Sequence, residues 1–576
     1  MKQFNQFVVK FDDYLLYLFV LLLPIFPYSD VLFVTVSVLT ILFIKVIKII
    51  LTKKLEFNSG IYDIPILILS AIYLLSTLFF APERYSSIIN PATTSVIILG
   101  AIIYFLINQL DAGAKKNLIY FMLAGSVLYS IKLLLTSAKV LNFAGPQSDY
   151  ILLTLYLFIT LPIMVIEIIK QKEFIYKFLF AISIFITVFT IIVSIITSPK
   201  PEFLSFKNSV SITSEVLKQK LFIGVGSSNY IEAFNKFRPF EYNLTKNWSL
   251  KFSQSSSFLL TILTETGLLG ISAFLAIFAI YINALINKPL KLMPTLFAFL
   301  GLILFPASTI SIVSLFLLLG AYSENKKQEH NLSSNLIGTI ISLPMIILLI
   351  LLSYKIYNLA FAEYSYSKGL ESLTQNKAKD SYDLIKKSIS INPKSDRYHR
   401  AMSSVNFGIA NALSKQSEKT EGQKEQATVF IQESINEAKA AVAINNKSAE
   451  NWEFLGRTYH LLIPFTKGAD IFALQSYKEA IALDPINPNL RIRLGEVFMI
   501  QKDYKNAIEA FKLAVLAKED HPNTHFNLGL AYKENNEVEN AKAEFKKSIQ
   551  FINEENTKDF ELAKKELESL NTTTQN

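Results

Sequence analysis

Cations and aromatic rings gather in one stretch of this chain, Leu221 to Gly270, which reads LFIGVGSSNYIEAFNKFRPFEYNLTKNWSLKFSQSSSFLLTILTETGLLG. With the residues just before it, this region sets Lys200, Lys207, Lys218, Lys220, Lys236, Arg238, Lys246 and Lys251 against Glu202, Glu215, Glu232 and Glu241. Such an excess suits an anion. A guanidinium grips a phosphate through paired hydrogen bonds, and an ammonium acts on it as a point charge. A phosphate or diphosphate carried on a lipid is the ligand class that fits; a solvated loop is the plainer reading. Gly224-Val225-Gly226 opens like a dinucleotide fingerprint, but the third glycine and the surrounding βαβ unit are missing. It reads instead as a turn after the amphipathic segment from Ser211 to Phe222, where backbone can approach a ligand closely. Glu265 lies inside an apolar helix that begins near Ser257, about two turns in. A carboxylate at that depth is costly: it is either functional or held at the interface or by a neighbouring helix.

The elements that position this stretch are apolar. Of 576 residues 51% are hydrophobic, and the mean hydropathy of +0.35 averages two unlike halves. A bilayer crossing needs about 20 apolar residues. Candidate spans fall at 12–29, 31–51, 61–80, 92–109, 117–136, 150–168, 176–197, 257–284, 291–306, 307–323 and 335–357. That is about eleven. The pair at 291–323 is ambiguous, because Pro306, Ser308, Thr309 and Ser311 suit either a tight turn or a kink. The first apolar run has no small-residue cleavage site after it and reads as a retained helix. Lysines concentrate in every other connection. One set holds Lys2, Lys10, Lys45, Lys48, Lys53, Lys54, Lys115, Lys116, Lys170, Lys172, Lys177, Lys288, Lys291, Lys326 and Lys327; the other holds little beyond Arg84 and Lys139. This asymmetry places the N-terminus in the cytoplasm and the loop 198–256 outside. An odd number of spans puts the C-terminal half outside as well. The net charge of +9 thus reflects membrane orientation rather than nucleic-acid binding. The chain has no cysteine, so disulfides, thiol catalysis and thiolate-bound zinc are excluded. No cofactor or metal pattern is present.

In order along the chain come an amphipathic segment, Phe222-Ile223-Gly224-Val225-Gly226, a basic aromatic loop with Phe237-Arg238-Pro239, and Glu265-Thr266-Gly267-Leu268-Leu269-Gly270. Together with Gly145-Pro146 and the span Tyr150 to Pro162, this order resembles the O-antigen ligase and O-antigen polymerase superfamily over roughly residues 10–360. The resemblance implies a membrane glycosyltransferase at the outer face of the cytoplasmic membrane. Its donor would be a glycan on undecaprenyl diphosphate, and its acceptor a glycan, lipid or protein. The transfer would be inverting, with an acceptor hydroxyl attacking the anomeric carbon. Arg238, with Lys207, Lys220, Lys236 and Lys251, would stabilise the leaving diphosphate. Many such proteins carry a His some nine or ten residues before the position of Glu265; here Ser255 and Ser256 stand there, and the loop has no His. Glu202, Glu215 or Glu241 could supply a base, or none is needed, or activity is lost.

From about residue 360 the composition turns to Lys, Glu and Ala, and the chain repeats. Trp452-x-x-Leu455-Gly456-x-x-Tyr459, with Ala473, Tyr477, Ala480 and Pro485, matches a tetratricopeptide repeat. Leu494-Gly495, Phe498, Ala507, Phe511 and Ala514 form the next, and Leu528-Gly529, Tyr532, Ala541 and Phe545 the one after. Weaker copies fall around Gly369 to Pro393 and Phe407 to Asn446. Such arrays stack into a groove that binds protein. Residues 414–427 read as a polar loop and 571–576 as a disordered tail. The expected fold is all-α: a polytopic membrane bundle over 1–358, then a tetratricopeptide-repeat solenoid over 359–570. The competing functional expectation is a non-catalytic membrane-anchored scaffold for an envelope complex. A transporter fits less well, because Lys132 and Glu265 are nearly alone among ionisable groups within the spans.

Overall fold

The computed structural model describes residues 2–26, 30–52, 54–82, 84–89, 93–138, 149–197, 202–331, 335–414, 421–552 and 557–573. Gly145-Pro146 lies outside them. The chain divides into two compact units: Met1–Ile231 with Phe252–Ala360, and Glu232–Lys251 with Phe361–Asn576. The boundary near 360 follows the change in composition. The middle of the basic loop, expected to belong wholly with the membrane half, belongs to the second unit instead.

The first unit is a bundle of apolar helices. Five are long and apolar enough to cross a bilayer: Val31–Thr52, Ala112–Ser137, Phe174–Thr197, Phe258–Asn287 and Ser342–Thr374. Asp63–Phe79, Thr94–Asn108, Pro289–Leu304 and Thr309–Tyr322 are apolar but shorter. At 1.5 Å per residue these reach about 21–26 Å, less than the roughly 30 Å of a hydrocarbon core. By length and composition alone, five helices among the described residues are candidate crossings, against the expected eleven or so. The expected spans at 12–29 and 150–168 fall on Lys2–Leu22 and Asp149–Lys170. The ambiguous pair at 291–323 is two helices. Ser308 caps the second, accepting from the Ser311 amide while the Ser311 hydroxyl accepts from the Ser308 amide. Much apolar surface points outward, as on Phe174–Thr197, where Phe174, Phe185 and Ile196 are at least 70% exposed. Apolar surface on that scale marks contact with membrane or protein.

Two strands depart from the all-α expectation. Lys54–Gly60 pairs antiparallel with Asn325–Asn331, Lys54 opposite Asn331 and Gly60 opposite Asn325. Both segments are polar connections between apolar helices. The Asn108 amide fixes the strand by donating to the Asn58 carbonyl at 2.9 Å.

The second unit stacks antiparallel helix pairs. Ala449–Leu462 packs on Ala469–Leu483, Pro488–Ile500 on Tyr504–Ala517, and Pro522–Glu534 on Val538–Phe551. One packing device recurs. A Cβ on Gly456 would lie 2.8 Å from the Tyr477 ring, one on Gly495 2.5 Å from Phe511, and one on Gly529 2.8 Å from Phe545. The glycine of each first helix thus receives the ring of the second. The weaker copies are helix pairs too: the end of Asn335–Thr374 with Ala378–Ile391, then Asp396–Ser414 with Glu421–Ile444. The segment expected to be a loop over 414–427 is helical from Glu421 onward. Asn571–Thr573 complete the last helix, Thr557–Thr573, rather than forming a tail. Residues 415–420 and 574–576 lie outside the described residues.

Candidate functional site

The two motifs that stood out in the sequence close on each other inside the first unit. The helix Phe258–Asn287 breaks at Gly267, whose φ of 62° and ψ of −154° suit glycine almost alone. The break frees backbone groups, and the turn at Leu221–Gly226 takes them up. Val225 N–H donates to Thr264 O at 3.0 Å and Gly226 N–H to Glu265 O at 2.9 Å. Leu268 N–H returns to Leu221 O at 3.0 Å and Leu269 N–H to Phe222 O at 3.2 Å. Gly224 sits at φ 61°, where a Cβ would meet Thr264 O at 2.3 Å. Irregular backbone within an apolar bundle is tolerated where protein satisfies it in this way.

The break presents Glu265. Its carboxylate is 1% exposed and accepts from the backbone amides of Ser228 and Tyr230. The lining around it is polar. Thr213 and Thr264 share a hydrogen bond of 2.8 Å, and Ser256 N–H donates to Ser209 Oγ at 3.0 Å. Burial pushes the Tyr230 phenol up to about 12, against the opposing effect of the Ser255 and Ser209 hydroxyls beside it. Tyr73 lies within electrostatic reach of Glu265. Glu265 Oε2, Tyr73 Oη and Ser256 Oγ are buried with no hydrogen-bond partner. Buried polar atoms are almost always satisfied, so these three call for an explanation such as an ordered water or a functional role. One carboxylate oxygen held by amides, the other open, can accept a proton or orient a hydroxyl.

The predicted site residues are divided between the units. In the first, Glu202, Lys207 and Lys220 are exposed on the polar segment before the turn. Glu215 pairs with Lys218 at 2.6 Å. In the second, Lys236 and Glu241 are exposed. Arg238 is 7% exposed, with Nη1 2.6 Å from Asp484 Oδ1 and its guanidinium 5.3 Å from the Phe234 ring. Lys251 lies 3.9 Å from the other Asp484 oxygen. Arg238 and Lys251 are thus brought together, but on a carboxylate of the repeat unit. Asp484 thus holds Arg238 directly and offsets Lys251 only in part. Asn243 extends this attachment, donating to Ile486 O at 2.6 Å and Ala517 O at 2.9 Å while accepting from Lys518 Nζ at 2.9 Å. A cavity of about 210 Å³ beside Arg238 is bounded by Trp248, Lys251, Glu453 and Asn487. Burial pushes the Glu453 carboxyl up, against Lys251 and Arg457. Asp484, Asn243 and Tyr73 carry no sequence signal; their importance comes from tertiary placement. Among the described residues no cluster of His, Asp and Glu is arranged to hold a metal.

A tetratricopeptide repeat family model matches residues 488–521 and 522–555. No curated protein sequence matches the chain. Similar solved structures include MamA of Desulfovibrio magneticus RS-1, at 13% identity over 33% of this chain and 94% of that one, TM-score 0.27. A thermophilic tetratricopeptide-repeat protein of Thermus thermophilus is 16% identical over 36% and 98%, TM-score 0.27. The first such domain of Spaghetti (RPAP3), bound to an HSP90 peptide, is 20% identical over 23% and 97%, TM-score 0.20. The matched segments are the helix pairs in which a glycine receives an aromatic ring, and the C-terminal part of this chain carries tetratricopeptide repeats.

Proposed function

We propose that this chain is a membrane glycosyltransferase of the O-antigen ligase and polymerase type, with its repeat unit recruiting a protein partner. It would act on a glycan carried by a lipid diphosphate at the outer face of the cytoplasmic membrane. The observation that carries this reading is the buried, partly unsatisfied polar cluster around Glu265, built where the turn Leu221–Gly226 meets the break at Gly267. In the reaction an acceptor hydroxyl forms a bond to the anomeric carbon. The bond from that carbon to the diphosphate oxygen breaks, and the lipid diphosphate leaves with the electron pair. The hydroxyl proton passes to Glu265, the role for which the missing loop His leaves room. The exposed ammonium groups of Lys207 and Lys220 would meet the leaving group; Arg238 serves to attach the loop to the repeats.

The scaffold reading is favoured by a different observation, the commitment of Arg238 and Lys251 to Asp484. One assay separates the two. Full-length protein is mixed with undecaprenyl-diphosphate-linked glycan and an envelope extract, and released lipid diphosphate is measured. Turnover that falls by about 10²–10⁴ in Glu265→Gln, with unchanged folding, supports transfer through Glu265. Full turnover in that variant moves the base elsewhere. No turnover in the unaltered protein leaves the scaffold.

A further inference from the structure

A second site lies in the first unit, among the lysine-rich connections rather than at the basic loop. A cavity of about 600 Å³ opens between the start of Ala112–Ser137, the end of Asp149–Lys170, the start of Pro289–Leu304 and the end of Thr309–Tyr322. Lys115, Lys116, Lys170 and Lys291 line it, against Asp111 and Glu167. The two acids are already engaged. Asp111 caps its helix by accepting from Ala114 N–H at 2.7 Å. Glu167 pairs with Lys170 at 3.0 Å and accepts from Tyr120 Oη at 3.1 Å. Among the described residues Lys115, Lys116 and Lys291 form no ion pair. Lys115, 9% exposed, donates to the Ser323 carbonyl at 3.2 Å and stands within electrostatic reach of Lys291. Like charges gathered over a cavity of this size are costly unless an anion offsets them.

An apolar groove of about 410 Å³ adjoins this cavity at Ile166 and continues along the same two helices. Phe158, Pro162 and Val165 form one wall; Leu290, Met293 and Phe297 form the other. Phe158, Val165, Leu290 and Phe297 are each 38–67% exposed. A cationic cavity that opens into an apolar furrow matches a molecule with one anionic head and a hydrocarbon tail. Basic pockets between membrane helices on the cytoplasmic side are sites for anionic lipid headgroups.

We propose that this cavity and groove bind an anionic phospholipid, its phosphodiester held by Lys115, Lys116 and Lys291 and an acyl chain laid between Pro162 and Phe297. The site shares with the proposed glycosyl transfer only the placement of the helices in a membrane. It does not depend on Glu265 or on any donor.

The test is native mass spectrometry of the full chain released from vesicles of phosphatidylglycerol, of phosphatidylcholine, or of phosphatidylglycerol with inorganic phosphate. The expected result is retention of phosphatidylglycerol over phosphatidylcholine. The exposed pair Lys116→Gln and Lys291→Gln should weaken retention by about fivefold per charge removed. Val165→Trp, which fills the groove and leaves the lysines, should weaken it as well. Equal retention of the two lipids overturns the proposal. So does phosphatidylglycerol binding that inorganic phosphate abolishes and Val165→Trp leaves unchanged, which would make the cavity a site for free phosphate. Glycosyl transfer lost or kept in these variants bears on the other reading alone.

Discussion

Gly267 and Gly301 are both glycines in apolar helices, and their neighbours make opposite demands. At Gly267 a Cβ would lie 2.4 Å from the carbonyl carbon of Phe222, and the backbone has positive φ. At Gly301 nothing lies within 4 Å. Gly267→Ala should therefore destabilise the first unit by about 1–3 kcal/mol from backbone strain alone, and more from the collision. Gly301→Ala should be neutral or slightly stabilising, since alanine is the better helix former. Thermal aggregation of the detergent-solubilised protein measures both; equal behaviour of the two variants would sink the account of the break. The ETGLLG and GVG motifs were legible as motifs, but not as partners. Their coupling rests on four backbone hydrogen bonds between the turn and the break, and backbone pairing over some forty residues leaves no periodicity to read.

At the scale of elements, the helices and repeats were the legible part, because each carries its own period. Apolar runs and the glycine-aromatic spacing recur within a single helix pair. What joins elements was not legible. His399 Nδ1 meets Glu437 at 2.5 Å and its Nε2 the Pro393 carbonyl; His525 repeats this with Glu544 and the Glu519 carbonyl. Arg238 is the strongest case. As a loop cation it suits a phosphate; in place, it is buried on Asp484. Removing one partner of a buried pair strands the other, so Arg238→Ala should cost the second unit about 3–5 kcal/mol. Replacing both, as in Arg238→Met with Asp484→Leu, should recover most of that. The chain has two tryptophans, Trp248 and Trp452, and both belong to the second unit. Tryptophan fluorescence in urea thus reports this unit alone. A loss under about 1 kcal/mol in the single variant, the size of an exposed pair, would return Arg238 to the pool of free cations.

For the whole molecule, the charge asymmetry and the two compact units constrain topology together. Segment Glu232–Lys251 is part of the repeat unit, and Asn243 bonds to the turn at Ile486 and to the helix end at Ala517. No bilayer can pass between residues so joined. The loop and the repeats must share a side, which requires an even number of crossings between Phe258 and the repeats. The strand pair imposes a second condition, placing residues 54–60 and 325–331 on one side. Helices shorter than a bilayer core are the ambiguous terms in any count from hydropathy, and these two conditions bypass them. On the proposed orientation, with the lysine-rich connections in the cytoplasm, the repeats would lie outside. The absence of cysteine makes this directly measurable, because a single introduced thiol has no background. In intact cells, a membrane-impermeant maleimide should label Ser249→Cys in the loop and Lys502→Cys between repeat helices to the same extent. Gln171→Cys, beside Lys170 and Lys172, should react only after the membrane is opened. Labelling of Ser249→Cys without Lys502→Cys would break the assignment of the loop to the repeat unit. Labelling of Gln171→Cys in intact cells, with the other two protected, would keep that assignment and invert the membrane orientation, moving any lipid-diphosphate chemistry to the cytoplasmic face.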